Sequence, residues 1–209
     1  MLPEDILARI REEAQRAKSV QSPRSWRPQS AGDFTSWQQI LCFDQALNNC
    51  GWALLNTDPE VAAIGAKPYP CVVDSGTIRS PSVGKGFEGT FTKAVLLAQS
   101  LRKLMAGLHG RHQNGVVLEL PSVVGYRTES SLVAAVTICI TLDEMGLDFP
   151  KFISRPSAAA TLCGNRSASK KDSSDMVDGL IQEHPTGTGQ WTEHVRDAVF
   201  VGLKAVHGG

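Results

Sequence analysis

Apolar and polar positions along this chain follow two periods, and the points where the period changes mark out its elements. Short apolar runs at residues 41–44, 51–56 and 71–78 are closely spaced and separated by turn-forming residues. They predict three strands in an antiparallel meander. Over 87–109 the period lengthens: Phe87, Phe91, Val95, Ala98, Leu101, Leu104 and Leu108 recur at helical spacing, which predicts a helix. Residues 116–120 (VVLEL) predict a buried strand broken by one carboxylate. Residues 128–146 predict a second helix, apolar around its middle and therefore packed on more than one side. A fifth short strand is expected at 151–154. Two further helices are expected at 168–183 and 192–206, separated by the loop EHPTGTGQ. This order implies an α/β fold: a five-stranded mixed sheet, its first three strands antiparallel, with helices on both faces.

The pattern ahead of residue 38 is different. Residues 3–18 have helical spacing, with Ile6, Leu7 and Ile10 on one side, and 19–36 are rich in Ser, Pro and Gly. The expected organisation is an N-terminal helical extension and linker over 1–37, with Trp26 and Trp37 as anchoring candidates, followed by the domain at 38–209.

Composition narrows the class. Of 209 residues, 42% are hydrophobic and 20% charged, which is the composition of a globular chain. No apolar run is long enough for a membrane span. The N-terminus is charged and lacks an apolar core segment, so secretion is not expected; a cytoplasmic or organelle-matrix location, or the cytoplasm of a phage-infected cell, is. Cys42, Cys50, Cys71, Cys139 and Cys163 are scattered and form no CxxC pair. They read as reduced, buried thiols rather than a zinc or redox site.

Net charge is zero, with 21 basic and 21 acidic residues, which at first argues against a nucleic-acid partner. The distribution changes that view. Arg79, Lys85, Lys93, Arg102, Lys103 and Arg111 share their stretch with one acid, Glu88, and Lys151, Arg155, Arg166, Lys170 and Lys171 share theirs with none. The first group also fits the solvated side of an amphipathic helix. The second is concentrated in GNRSASKK, a loop of glycine, hydroxyls and bases suited to phosphate contacts.

Three acids stand where an α/β core would exclude them. Asp44 ends the first strand, Glu119 interrupts VVLEL, and Asp197 lies in the last helix, three residues after His194 and on the same face. Each alone also fits a cap, a turn or half of an ion pair. Together they have one economical explanation. Adjacent parallel strands bring their C-terminal ends side by side, so Asp44 and Glu119 meet there and the last helix adds His194 and Asp197. Grouped carboxylates repel unless a cation bridges them. Mg²⁺ prefers oxygen ligands, and two such ions about 4 Å apart support phosphodiester cleavage.

The segment from Phe43 to Trp52 (FDQALNNCGW) resembles the first motif of RuvC-type Holliday-junction resolvases, in which an Asp ends the first strand and a Gly-aromatic pair opens the second. LELP, with Glu119, is similar to the second acidic motif. GNRSASK followed by Lys171 resembles the glycine-containing loop and lysine before a helix. HVRDAV, with His194 and Asp197, resembles the closing helix. The match runs in order over roughly residues 38–207. The resemblance implies a ribonuclease-H-like fold, a homodimer, and paired symmetric nicking of four-way DNA junctions with two Mg²⁺ per site, or Mn²⁺ in their place. It implies Asp44, Glu119 and Asp197 as metal ligands and His194 as a neutral ligand or a group that orients water. Lys170 would stabilise charge at the scissile phosphate, and Arg155, Arg166, Lys170, Lys171 and Tyr126 would contact DNA. The chain departs from the family where some members carry a second lysine, near Ala159, and where many place a junction-probing Phe, for which Tyr126 is the candidate substitute. Residues 1–37 have no counterpart in the pattern, as expected of a phage-encoded or otherwise divergent member.

Two other functions compete. A junction-binding protein that has lost its chemistry would share the fold. An actin-like ATPase or sugar kinase also opens with an Asp-ended strand, but needs two related halves and further phosphate loops. The GKG of residues 84–86 lacks P-loop spacing, and His109 and His112 have no carboxylate or thiol nearby.

Overall fold

In a computed structural model, residues 39–56, 71–84, 86–108, 115–121, 128–181 and 191–207 are described. The expected helix at 3–18 and its linker, and Lys85, His109, Arg111, His112, Tyr126 and His184, lie outside these residues.

Five strands form one sheet: β1 (Gln39–Asp44), β2 (Asn49–Asn56), β3 (Cys71–Arg79), β4 (Val116–Glu119) and β5 (Lys151–Ile153). Their order is β3-β2-β1-β4-β5. The first three strands are antiparallel, while β1, β4 and β5 run parallel. The helices are α1 (Gly86–Gly107), α2 (Thr128–Glu144), α3 (Arg155–Leu162), α4 (Lys170–Leu180) and α5 (Glu193–His207).

Alternation along the strands feeds two cores. Ile40, Cys42, Ala53, Leu55 and Val117 face α3, α4 and α5, whereas Leu41, Phe43, Leu54, Val116 and Leu118 face α1 and α2. Helix α5 lies close on β1 and β2. A side chain at Gly202 would overlap Cys42 Sγ and Leu55, so glycine at this point sets the helix-to-sheet distance.

Four expectations need correction. Helix α3 was not anticipated, because RPSAAATL is too short and weakly apolar to show helical period; its local signals are a Ser154 cap that accepts from Ser157 N at 3.3 Å and Pro156 in the first turn. Among the described residues, helix α2 packs on one side only. Ala134, Ala135, Ile138 and Leu142 are buried, but Leu132, Val136 and Ile140 are 48–54% exposed. In α1, Leu97, Leu101 and Met105 form the inner face, while Phe87, Phe91 and Val95 are exposed. The five cysteines are free thiols, but Cys71 is exposed, at the start of edge strand β3.

Candidate active site

The parity of the strands places the acids. Ile40, Cys42 and Asp44 share one face of β1, and Val117 and Glu119 share the same face of β4. Phe43 is in register with Leu118, so the two carboxylates follow side by side at the C-terminal edge of the sheet, on the α5 side. Gln45, which is buried, ties the two strand ends together: its Nε2 donates to the Glu119 backbone carbonyl. Its Oε1 is buried without a hydrogen-bond partner among the described residues.

Helix α5 begins over this edge. Thr192 caps it, accepting from Val195 N at 3.3 Å, and bonds Thr77 of β3 at 3.1 Å. Trp191 Nε1 and Arg196 Nε both donate to Asp178 Oδ1, at 2.7 and 3.0 Å, which fixes the start of α5 to α4. Gly51 is the residue in register with Asp44. Any Cβ there would collide with the backbone carbonyl of His194. The missing side chain thus lets the first turn of α5 rest on β2, and His194 Nδ1 reaches Asp44 Oδ2 at 2.8 Å.

Asp197 is one turn further along α5, with its side chain only 8% exposed. Arg155 Nη1 donates to its Oδ1 at 2.6 Å, and Lys170 Nζ lies 3.3 Å from its Oδ2. Lys170 also pairs with Glu193. It is the first residue of α4, which opens with a capping box between Ser169 and Asp172. GNRSASKK is therefore only in part a loop: its two lysines are helical. Lys171 pairs with Asp175 on its own helix, and Arg166 is exposed. Arg155, expected at a DNA-facing surface, is turned inward instead.

The electrostatics follow from this crowding. Burial, reinforced by the fields of Asp44 and Asp197, pushes the Glu119 carboxyl up to about 7, against the opposing pull of Arg155 and Lys170. The hydrogen bond to Asp44 raises His194 above its ordinary value, outweighing burial. Burial works to lower the Lys170 ammonium, but its bonds to Glu193 and Asp197 prevail and hold it high.

Three carboxylates and an imidazole are the donor chemistry that a hard divalent cation takes. The placement fits in part. Asp44 and Glu119 adjoin at the strand ends, beside the unpartnered Gln45 oxygen. Among the described residues, however, no three His, Cys, Asp or Glu side chains are grouped to hold a metal ion. At Asp197 both oxygens face basic side chains. Gln45, Gly51 and Glu193 were not anticipated as site residues. Gly51 had entered only as the glycine of the Gly-aromatic pair that opens the second strand, with no role at the site.

Fold and site together define a ribonuclease-H-like α/β domain with an acidic centre at the C-terminal edge of its parallel strands. No protein-family profile matches the chain, and no curated protein matches it in sequence. Solved structures do match. The RuvC structure from Thermus thermophilus is 13% identical, over 79% of this chain and 91% of that one, with a TM-score of 0.59. T. thermophilus RuvC in complex with Holliday junction substrate gives 11%, 79%, 91% and 0.61 in the same measures. The yeast mitochondrial Holliday junction resolvase Ydc2 gives 9%, 80%, 78% and 0.50. The chain has the RuvC-like resolvase fold.

Proposed function

We propose that this protein is a metal-dependent endonuclease that resolves four-way DNA junctions by paired symmetric nicks. The observation that carries the reading is the meeting of Asp44 and Glu119 on one face of adjacent parallel strands, with α5 bringing His194 and Asp197 to the same edge. Structural likeness to resolvases, one of them solved with a Holliday junction, supports the substrate.

Asp44 and Glu119 would hold Mg²⁺, or Mn²⁺ in its place, with Asp197 and His194 completing the set; two ions per site are expected once DNA is bound. Such a cation would supply, when bound, activation of water and charge neutralisation at the phosphate. The remaining work belongs to the chain. Asp44 fixes the ring of His194 through Nδ1, leaving Nε2 to orient water or accept a proton. Gln45 holds the two strand ends in register. Lys170, 62% exposed at the rim, is placed to meet a phosphate and stabilise developing negative charge. Arg166 and Lys171 are exposed and close to Lys170 in the sequence, and would supply further phosphate contacts.

Symmetric nicking needs two sites, and the surface supports a homodimer. Phe87, Phe91 and Val95 on α1 are 84%, 61% and 40% exposed, each four residues from the next, and Leu132, Val136 and Ile140 repeat that spacing on the adjoining α2. Two neighbouring helices with unpartnered apolar rows are what a second copy would cover. Among the described residues no helix is long and apolar enough to cross a membrane. The site of action is a DNA-containing compartment: cytoplasm, organelle matrix or phage-infected cell.

A labelled four-way junction, a flap and a plain duplex, each incubated with Mg²⁺ or Mn²⁺, test the reading. Paired nicks confined to the junction, lost in Asp44→Asn with binding retained, are expected. Undiminished cleavage by that variant overturns the assignment. The engagement of Asp197 by two bases favours one second reading, a junction-binding protein without cleavage, and junction binding with no nicking in either metal would establish it.

A further inference from the structure

Arg155 is held in a way that the nuclease reading does not use. It is the first residue of α3 and lies one turn before Ala159, so both look toward α5 from one helix face. Its guanidinium makes three contacts. Nη1 donates to Asp197 Oδ1 at 2.6 Å, Nη2 donates to Ser173 Oγ at 3.1 Å, and Cζ lies over the Phe200 ring, 5.7 Å from its centroid. Ser173 is itself buried and bonded to the Ser169 carbonyl at 3.1 Å. The other base at Asp197 is held loosely. Lys170 is 3.3 Å away, mostly exposed, and has Glu193 as a second partner.

We propose that Arg155 is a positioning residue that takes the place of a metal ion at Asp197. It neutralises one carboxylate oxygen permanently, while Lys170 guards the other as a displaceable counter-ion. The inference deepens the nuclease reading and rests on it for the role of Asp197. Its consequence is that the DNA-free protein stays folded without metal and offers one open cation position, at Asp44 and Glu119. Asp197 becomes available through Oδ2 alone, once Lys170 has moved to Glu193 or to a phosphate.

Arg155 and a divalent ion compete for the same carboxylate. An almost fully buried carboxylate is stable only with a positive partner. A divalent ion approaching Asp197 meets a guanidinium already bonded there and is repelled by it. Removing that charge makes the centre more negative, which strengthens divalent binding by about tenfold or more at an intermediate effective dielectric.

The test uses the full chain without DNA. Mn²⁺ is titrated and bound ions are counted from the electron paramagnetic resonance of the free ion; melting temperature is read in EDTA and in Mn²⁺. The wild type should bind one ion and melt at nearly the same temperature in both. R155Q should bind Mn²⁺ about tenfold more tightly or take up a second ion, melt several degrees lower in EDTA, and recover in Mn²⁺. R155K, which keeps the charge, should behave as wild type. R155Q that folds only when Mn²⁺ is present also supports the proposal. R155Q with wild-type Mn²⁺ affinity and count overturns it, as does failure to fold in EDTA and Mn²⁺ alike. If neither wild type nor R155Q binds Mn²⁺, the metal-dependent reading falls as well. If wild type binds and R155Q is unchanged, only the role of Arg155 falls.

Discussion

Replacing Glu119 by Gln should make the metal-free protein more stable at alkaline pH, and the structure sets the size of the effect. The Glu119 carboxyl titrates at about 7 in the folded protein, against 4.5 for a free side chain, chiefly because it is buried and secondly because Asp44 and Asp197 are close. Between those values the folded state holds a proton that the unfolded chain has released. Stability is therefore complete below pH 4.5, falls as pH rises toward 7, and levels off above it. At about 1.4 kcal/mol per pH unit, the fall amounts to roughly 3 kcal/mol. Gln is close to isosteric and cannot ionise, so the variant lacks this decline. His194 also has a raised pKa and weakens the fold in the same direction as pH rises. Its cause is the bond to Asp44, which both proteins keep, so its contribution cancels in the difference. Urea denaturation in EDTA, at intervals from pH 4.5 to 8, measures the two curves. The variant should gain on the wild type by roughly 3 kcal/mol across that range. Parallel curves would refute the placement of Glu119 beside two other acids in a dry site.

Other expectations follow from single contacts. Gly51→Ala should displace the first turn of α5, lower stability by about 1–3 kcal/mol in denaturant titration, and reduce junction cleavage by more than its loss of junction binding, since His194 would leave Asp44. Phe91→Asp combined with Val136→Asp should convert a dimer to a monomer in light scattering coupled to size exclusion; an unchanged mass would remove the α1–α2 surface as the interface. Ser169→Ala breaks the capping box at the start of α4 and should cost about 1 kcal/mol of thermal or chemical stability. It should also loosen Lys170, which follows directly.

The strand acids were legible because a carboxylate ending an apolar run breaks the local rule, and such breaks tend to fall at functional sites. His194 and Asp197 were legible from their spacing of three on a strongly patterned helix. Helix α3 was not, since its eight residues carry too little apolar contrast to show a period.

Local pattern by itself determined the described elements other than α3, the α/β class, the antiparallel opening and the candidacy of Asp44, Glu119, His194 and Asp197, because strand alternation and helical period are properties of neighbours in the chain. It did not determine which apolar rows meet this chain's own core. Phe87, Phe91 and Val95 have the same spacing as Leu97, Leu101 and Met105, yet one row is exposed and the other buried, and only packing distinguishes them. Nor did it reveal that Gly51 seats α5, or that Arg155 turns inward to Asp197. Those contacts join residues 143 and 42 positions apart, and they exist only once α5 lies on the sheet. Periodicity encodes what each segment can become, and the tertiary structure decides which charges must share a site.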